Sequence, residues 1–343
     1  MSLQTLLHEV TAIARTLCDR EVDETEHADA VLRLHAIALA AGDADGRQST
    51  RLAEGLALAP RDAARCVLDH RRTRSFLQAL DAAIQSAQRI FAERPLRVLY
   101  AGCGPLAPFA LLASCLHPPG DVQFSLVDVH PESLTAATAL FDAIGHRDSL
   151  AQSLCADATT LQLDSPDFPH IAIAETLQQA LSREPQVALT VNLAPQLRPG
   201  GIWLPHRIVV DLVLAELALE HASAGLTRRR IRLATLIDLH GDRAVQADAD
   251  AAELPRIVTI PVHADGMHVL LCTRIEAGPG LLLDDYDSGL THPLVLHALG
   301  TPPAGTRLSC RYRRGTNPGF EIVRLSSGAD ASGYESGSIS EAG

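Results

Sequence analysis

VLYAGCGP, residues 98–105, decides how the chain is read: an apolar run stops at two glycines, Gly102 and Gly104, and then at a proline. A short all-apolar run suits a strand buried on both faces. Gly-x-Gly at its end allows a turn in which backbone approaches a ligand closely. Taking RVLYAG (97–102) as a first strand, a helix is expected from about Pro105 to Leu116. VQFSLVDV (122–129) follows as a second strand with Asp128 at its carboxyl end, then a helix from Pro131. Another strand is expected before CADATT, which holds Asp157 and Ala158, and another at IAIAE (171–175). A helix around 185–197, the turn PGG and the strand IWLPHRIVV complete the series. Strands alternating with helices predict an α/β, Rossmann-like, doubly wound parallel sheet.

Outside this core the pattern changes. Leu3, Leu6, Leu7, Val10, Ile13 and Leu17 recur at helical spacing. A second helix is expected from Asp29 to Ala41, and a third from Pro60 to Phe91. After about residue 228, RIRLATLIDL, IVTIPV, MHVLLCTRI, GLLLDD and RLSCRYRR read as strands between turns, which suggests an antiparallel, β-barrel-like region. The expected organisation is N-terminal helices over 1–60, a Rossmann-like domain over 61–207, a β-barrel-like domain over 208–325 and a disordered tail over 326–343.

Composition narrows the function. The net charge is −12, with no lysine and all 29 cations arginine, which argues against a nucleic-acid partner and favours a cationic substrate. The seven cysteines include no CxxC pair, which reads as reduced thiols in a cytoplasmic protein with no zinc site. Glu9 and Arg15 interrupt any signal-like stretch, and no apolar run reaches membrane-spanning length, so no membrane partner is expected.

Candidate cofactor-binding residues are those at the strand ends. Gly102 and Gly104 form the turn, Asp128 can accept hydrogen bonds from both hydroxyls of a ribose, and Asp157 or Ala158 can meet an adenine edge. Asp157 reads equally well as a turn or cap residue. A nicotinamide dinucleotide is disfavoured: Ala107 stands where its fingerprint has a third glycine, and Pro105 and Pro108 remove N–H groups that a pyrophosphate needs. S-adenosylmethionine carries no phosphate and is the favoured cofactor.

Four further motifs stand around this core. DHRRT (69–73) precedes the glycine turn; AETLQQALSRE (174–184) places Glu175 and Glu184 nine residues apart after the strand IAIA; LRPGGIWLPHR (197–207) follows; and GLTHP (289–293) lies in the C-terminal region. In isolation, Asp69 and Arg72 read as an i,i+3 surface ion pair, the glutamates as a solvated helix face, and His292 as structural. Together, over roughly residues 60 to 325, the motifs resemble the protein arginine methyltransferase family. The resemblance implies that Arg72 grips the cofactor's methionine carboxylate and that Glu175 and Glu184 clamp the substrate guanidinium. It also implies that Asp69 and His292 form a dyad able to take the proton released on methylation, while Pro205 and Arg207 lead the chain into the barrel. Arginine stays protonated, with a pKa above about 12, and its nitrogen lone pairs are delocalised. Two carboxylates can hold the planar cation and localise its charge away from the attacking nitrogen.

The chain also departs from the family. The aromatic motif Y-F-x-x-Y is missing, with RLAEGLALAP (51–60) in its place, so the N-terminal helices are expected to supply the lid. Pro293 replaces a Trp, Tyr100 stands where many members carry an acid, and the dimerisation arm shrinks to AELALEHASAG (215–225), a short helical remnant. These departures favour free L-arginine over an arginine-containing peptide, in specialised metabolite biosynthesis, and a homodimer is expected. Other small-molecule N- or O-methylation and a non-catalytic cofactor-binding role remain alternatives.

Overall fold

A computed structural model of the chain describes residues 3–41, 46–164, 168–220, 228–241 and 245–326. The expected tail from 327 onward, and the end of the 215–225 stretch, lie outside the described residues. At the N-terminus, α1 (Leu3–Cys18) buries Val10, Ile13, Ala14 and Leu17, one stripe of a helix, and α2 (Glu24–Ala41) lies beside it. The second helix thus starts five residues earlier than expected. Residues 50–57, read only as the gap left by an absent motif, form a hairpin of β1 (Thr50–Leu52) and β2 (Gly55–Ala57).

The helix expected from Pro60 to Phe91 is two helices. The first, α3 (Pro60–Arg65), ends in a single tight turn, and α4 (His70–Ile90) begins afresh after Asp69. The break is local: Asp69 leaves helical conformation at ψ 89°, and its Oδ1 accepts the Arg72 backbone N–H at 3.1 Å as an N-cap. The opposite face of α4 buries Phe76, Leu77, Leu80, Ala83, Ile84 and Ala87.

The alternating region follows the sequence closely: β3 (Leu96–Ala101), α5 (Pro108–Ser114), β4 (Val122–Asp128), α6 (Pro131–Ala143), β5 (Leu150–Cys155), β6 (Ile171–Ala174), α7 (Gln186–Leu193) and β7 (Ile202–Leu204). The five strands form one parallel sheet in the order β5-β4-β3-β6-β7. The chain therefore winds outward from β3 in both directions, and the switch point lies between β3 and β6. Helix α5 starts at Pro108 rather than Pro105. Gly102 (φ 66°), Gly104 (φ 62°) and Ala107 (φ 38°) are all left-handed and cannot join a right-handed helix.

The stretch IWLPHRIVV is not one strand. The parallel sheet ends with β7, and β8 (Arg207–Ala215) starts an antiparallel sheet after Pro205 and His206. Then come α8 (Leu217–Glu220), β9 (Arg230–His240), α9 (Val245–Glu253), β10 (Arg256–Thr259), β11 (His268–Gly278), β12 (Leu281–Leu283), β13 (Leu294–Val295), β14 (Arg307–Arg313) and β15 (Gly319–Leu325). They form two antiparallel sheets, β12-β11-β8-β9 with β13 on β11, and β10-β14-β15. A buried apolar core runs without interruption from Val10 in α1, through the parallel sheet, to Ile322 in β15. None of the helices among the described residues is long and apolar enough to cross a membrane.

Candidate active site

Parallel strands direct all their carboxyl ends to one edge, and there Gly102 follows β3, Asp128 ends β4, Asp157 comes shortly after β5 and Glu175 follows β6. Open α/β sheets bind ligands at this edge, beside the switch point. A cavity lies there with about 970 Å³ of empty space, part of it open to solvent. Eight of the residues anticipated from sequence line it: Arg72, Gly102, Gly104, Asp128, Asp157, Ala158, Glu175 and Glu184.

On the β4 side, Asp128 Oδ2 accepts the Gly104 N–H at 2.9 Å and Oδ1 accepts the His130 N–H at 2.9 Å. The carboxylate is held rigidly; the His130 ring Nδ1 also lies 3.3 Å from Oδ1, so Oδ2 is the oxygen that keeps a lone pair for a ligand. The Asp128 hydrogen bond raises the His130 pKa above its usual value, although burial opposes it. The other ring nitrogen of His130 lies 3.0 Å from Thr50 Oγ1 in the hairpin. Asp157 caps its own turn, its Oδ1 accepting from Thr159 N (2.9 Å) and Oγ1 (2.7 Å), and it also lines the cavity. Ser133, in the first turn of α6, lines the cavity with a buried hydroxyl that has no partner.

On the β6 side, Arg72 pairs with Glu175 Oε2, while the buried Glu175 Oε1 has no hydrogen-bond partner. Burial pushes the Glu175 carboxyl up to about 7 against the pull of Arg72. Burial, and then the neighbouring Glu175, push Glu184 up to about 8. Burial disfavours the charge of Arg72, but Glu175, Cys66 and Glu184 together outweigh it and hold the guanidinium above its usual value. One cation thus faces two acids, and the cavity accommodates them by favouring a protonated Glu184.

The segment between the two acids is strained. Ala180 (φ 53°), Leu181 (φ 54°) and Arg183 (φ 64°) are left-handed without being glycine. The surroundings fix it. Thr273 Oγ1 accepts the Ala180 N–H at 3.1 Å, Tyr312 donates its hydroxyl to Leu181 O at 2.9 Å, Pro318 O accepts the Arg183 N–H at 2.9 Å, and the Leu56 N–H donates to Arg183 O at 2.8 Å.

Two anticipated residues stand apart. Asp69 and His292 do not form a dyad. Asp69 Oδ1 caps α4, and Oδ2 accepts from Ser288 Oγ (2.7 Å) and Gly289 N (2.9 Å). Ser288 and Thr291 close a capping box, and the turn leaves His292 exposed, its ring 5.4 Å from that of Tyr286. The expected lid also differs: Leu52, Leu56 and Ala57 of the hairpin line the cavity, whereas α1 and α2 pack on α4. The only sequence signal for the hairpin is the Glu54-Gly55 turn. Among the described residues, no group of three or more His, Cys, Asp or Glu side chains is arranged to hold a metal ion.

No family model and no curated protein matches the sequence. Among solved structures, the chain is similar to one described as the Trypanosoma brucei PRMT1 enzyme-prozyme heterotetrameric complex with AdoHcy. The identity is 16%, the alignment covers 77% of this chain and 93% of that one, and the TM-score is 0.49.

Proposed function

We propose that the chain is an S-adenosylmethionine-dependent methyltransferase acting on a guanidino nitrogen of arginine, with free L-arginine as acceptor and N-omega-methyl-L-arginine as product. The observation that carries this reading is the pair of buried acids, Glu175 and Glu184, sharing one cavity with a glycine turn and a strand-end aspartate. A buried acid oxygen without a partner is costly, and a guanidinium beside Glu175 Oε1 would relieve that cost.

The residues present fit the cofactor. Asp128, with the orphaned Ser133 hydroxyl nearby in the chain, offers polar atoms for ribose hydroxyls. Gly104 leaves room at the strand end, since a Cβ there would meet only Ala63 Cβ at 3.5 Å, and Asp157 and Ala158 would meet the adenine. Arg72 has five N–H donors, enough to serve both Glu175 and a carboxylate of the cofactor. When bound, S-adenosylmethionine supplies a methyl group activated on a sulfonium sulfur. Glu175 and Glu184 would hold the acceptor nitrogen in line with that methyl and draw positive charge toward the other nitrogens. Methylation releases one proton. Once the bound cation has ionised them, the two glutamates can take it up, and the burial that raises both in the empty cavity favours its return, a task the exposed His292 is not placed to perform.

Free arginine is favoured over a peptide because the hairpin bonds to the Glu184 segment at Leu56 and to the β14–β15 turn. There Glu54 Oε2 accepts the Gly315 N–H at 3.1 Å. These bonds narrow the room for flanking residues of a protein substrate. The test is mass spectrometry of L-arginine, and separately of an arginine-rich peptide, after incubation with cofactor. A 14-Da gain on L-arginine is expected in the wild type, falling at least 100-fold in Glu175→Gln or Glu184→Gln while cofactor binding persists. Methylation of the peptide alone would reassign the acceptor, and full activity of either variant would remove the clamp.

A further inference from the structure

We infer that Gln186 is a positioning residue for arginine recognition, a staple that closes the base of the acidic segment and sets the two carboxylates relative to each other and to the glycine turn. This inference rests on the acceptor reading above. Gln186 opens α7, is 1% exposed and does not line the cavity. Its Oε1 accepts both the Thr176 N–H, at 3.0 Å, and the Thr176 hydroxyl, at 3.1 Å. Its Nε2 donates to Thr190 Oγ1 at 3.2 Å, and that hydroxyl donates to the Gln186 carbonyl at 2.7 Å. Thr176 directly follows Glu175, and Gln186 stands two residues after Glu184, so one side chain bridges both ends of the segment.

The staple also reaches the cofactor side. A Cβ on Gly102 would overlap Thr176 Cγ2, so the threonine methyl packs directly against the glycine turn. Gly102, Thr176 and Gln186 therefore form a continuous line of contact from the turn to the ends of the acidic segment. The left-handed residues within that segment stay in place only if its ends are pinned. The two antiparallel sheets pin its middle, and Gln186 pins its base. A clamp on a planar cation tolerates little drift of either carboxylate. Sequence pattern does not reveal this role, because one glutamine at a helix start looks like any solvated polar residue.

The test uses the full-length chain with Gln186→Met, which keeps the volume and loses the acceptor, and the pair Thr176→Val and Thr176→Ser. The expected result is a KM for L-arginine raised at least tenfold in Gln186→Met and Thr176→Val. Calorimetric Kd for S-adenosylhomocysteine should stay within threefold, and Thr176→Ser should recover most of the KM. A KM that does not move, or that worsens only in step with cofactor affinity, overturns the inference. If Gln186→Met fails to fold, the threonine pair decides. If the wild type neither binds nor methylates L-arginine, the acceptor reading fails, and the staple is judged by carbon-13 NMR titration of the glutamate carboxyls. The Glu184 pKa, raised to about 8, should then fall by at least one unit in Gln186→Met as water enters the loosened segment. A titration identical to wild type rejects the staple.

Discussion

Glu184 carries a pH signature whose sign follows from its surroundings. Burial and Glu175 raise its carboxyl from 4.5 to about 8, so the folded state holds the proton more tightly than the unfolded chain does. Its contribution to stability is complete below pH 4.5 and is lost as pH rises toward 8. Glu184→Gln removes this loss. Without ligands, the melting temperature of the variant should approach that of the wild type near pH 5 and exceed it by several degrees at pH 8. A gap independent of pH would contradict the assignment. On the proposed reading, a bound guanidinium displaces this proton, so the Kd for L-arginine should fall about tenfold per pH unit between pH 7 and pH 8, more steeply below pH 7 where Glu175 is protonated too, and then level off. Calorimetry in the presence of S-adenosylhomocysteine measures this slope, and a flat profile would mean that Glu184 is already ionised. Asp128 and Glu175 were legible in the sequence because each sits at the carboxyl end of a parallel strand, whereas Glu184, well past the end of β6, was singled out only through the resemblance that pairs it with Glu175. The Asp69–His292 dyad failed because it depended on the 288–291 turn, where Ser288 takes the aspartate oxygen and the cap turns the histidine outward.

At the scale of elements, the hairpin does work expected of the N-terminal helices. Its anchors touch both halves of the cavity: Thr50 reaches His130 beside Asp128, and Leu56 holds the Arg183 carbonyl next to Glu184. Gly55 permits this approach. It sits at φ 144°, and a Cβ there would lie 2.9 Å from the Arg183 oxygen and 3.0 Å from the Pro185 nitrogen. Gly55→Ala must therefore push the hairpin off the acidic segment, at a cost of about 1–3 kcal/mol. The expected outcome is kcat/KM for L-arginine lowered at least tenfold, with the melting curve of the remaining fold changed little. Wild-type kcat/KM in this variant would mean that the hairpin does not set the site. Sequence made the parallel strands plain, since β6 is apolar and buried throughout and β3 is so from Val98 onward. It hid the hairpin, whose three-residue strands are too short to show a period. It also fused β7 with β8, because nothing in a continuous apolar run marks the point where a chain leaves one sheet for another.

For the whole molecule, the C-terminal sheets act as the brace of the site as much as a separate unit. Thr273 on β11 and Tyr312 on β14 bond the strained backbone that presents Glu184, and α4, which carries Arg72 in its first turn, packs along β11 and β12. The contact with α4 is close: a Cβ on Gly278 would fall 2.9 Å from Ala79 Cβ and 3.3 Å from its Cα. The core is also continuous from α1 to β15, so the two halves should unfold together rather than in sequence. Gly278→Val tests both points. Overpacking at this contact should cost about 1–3 kcal/mol and lower the melting temperature of a single calorimetric transition. Because α4 and β11 both reach the acidic segment, the variant should also raise the KM for L-arginine. Two resolved transitions, with only the second half of the chain melting early, would show that the sheets form an independent domain. The brace would then have to act through the local bonds of Thr273 and Tyr312 alone.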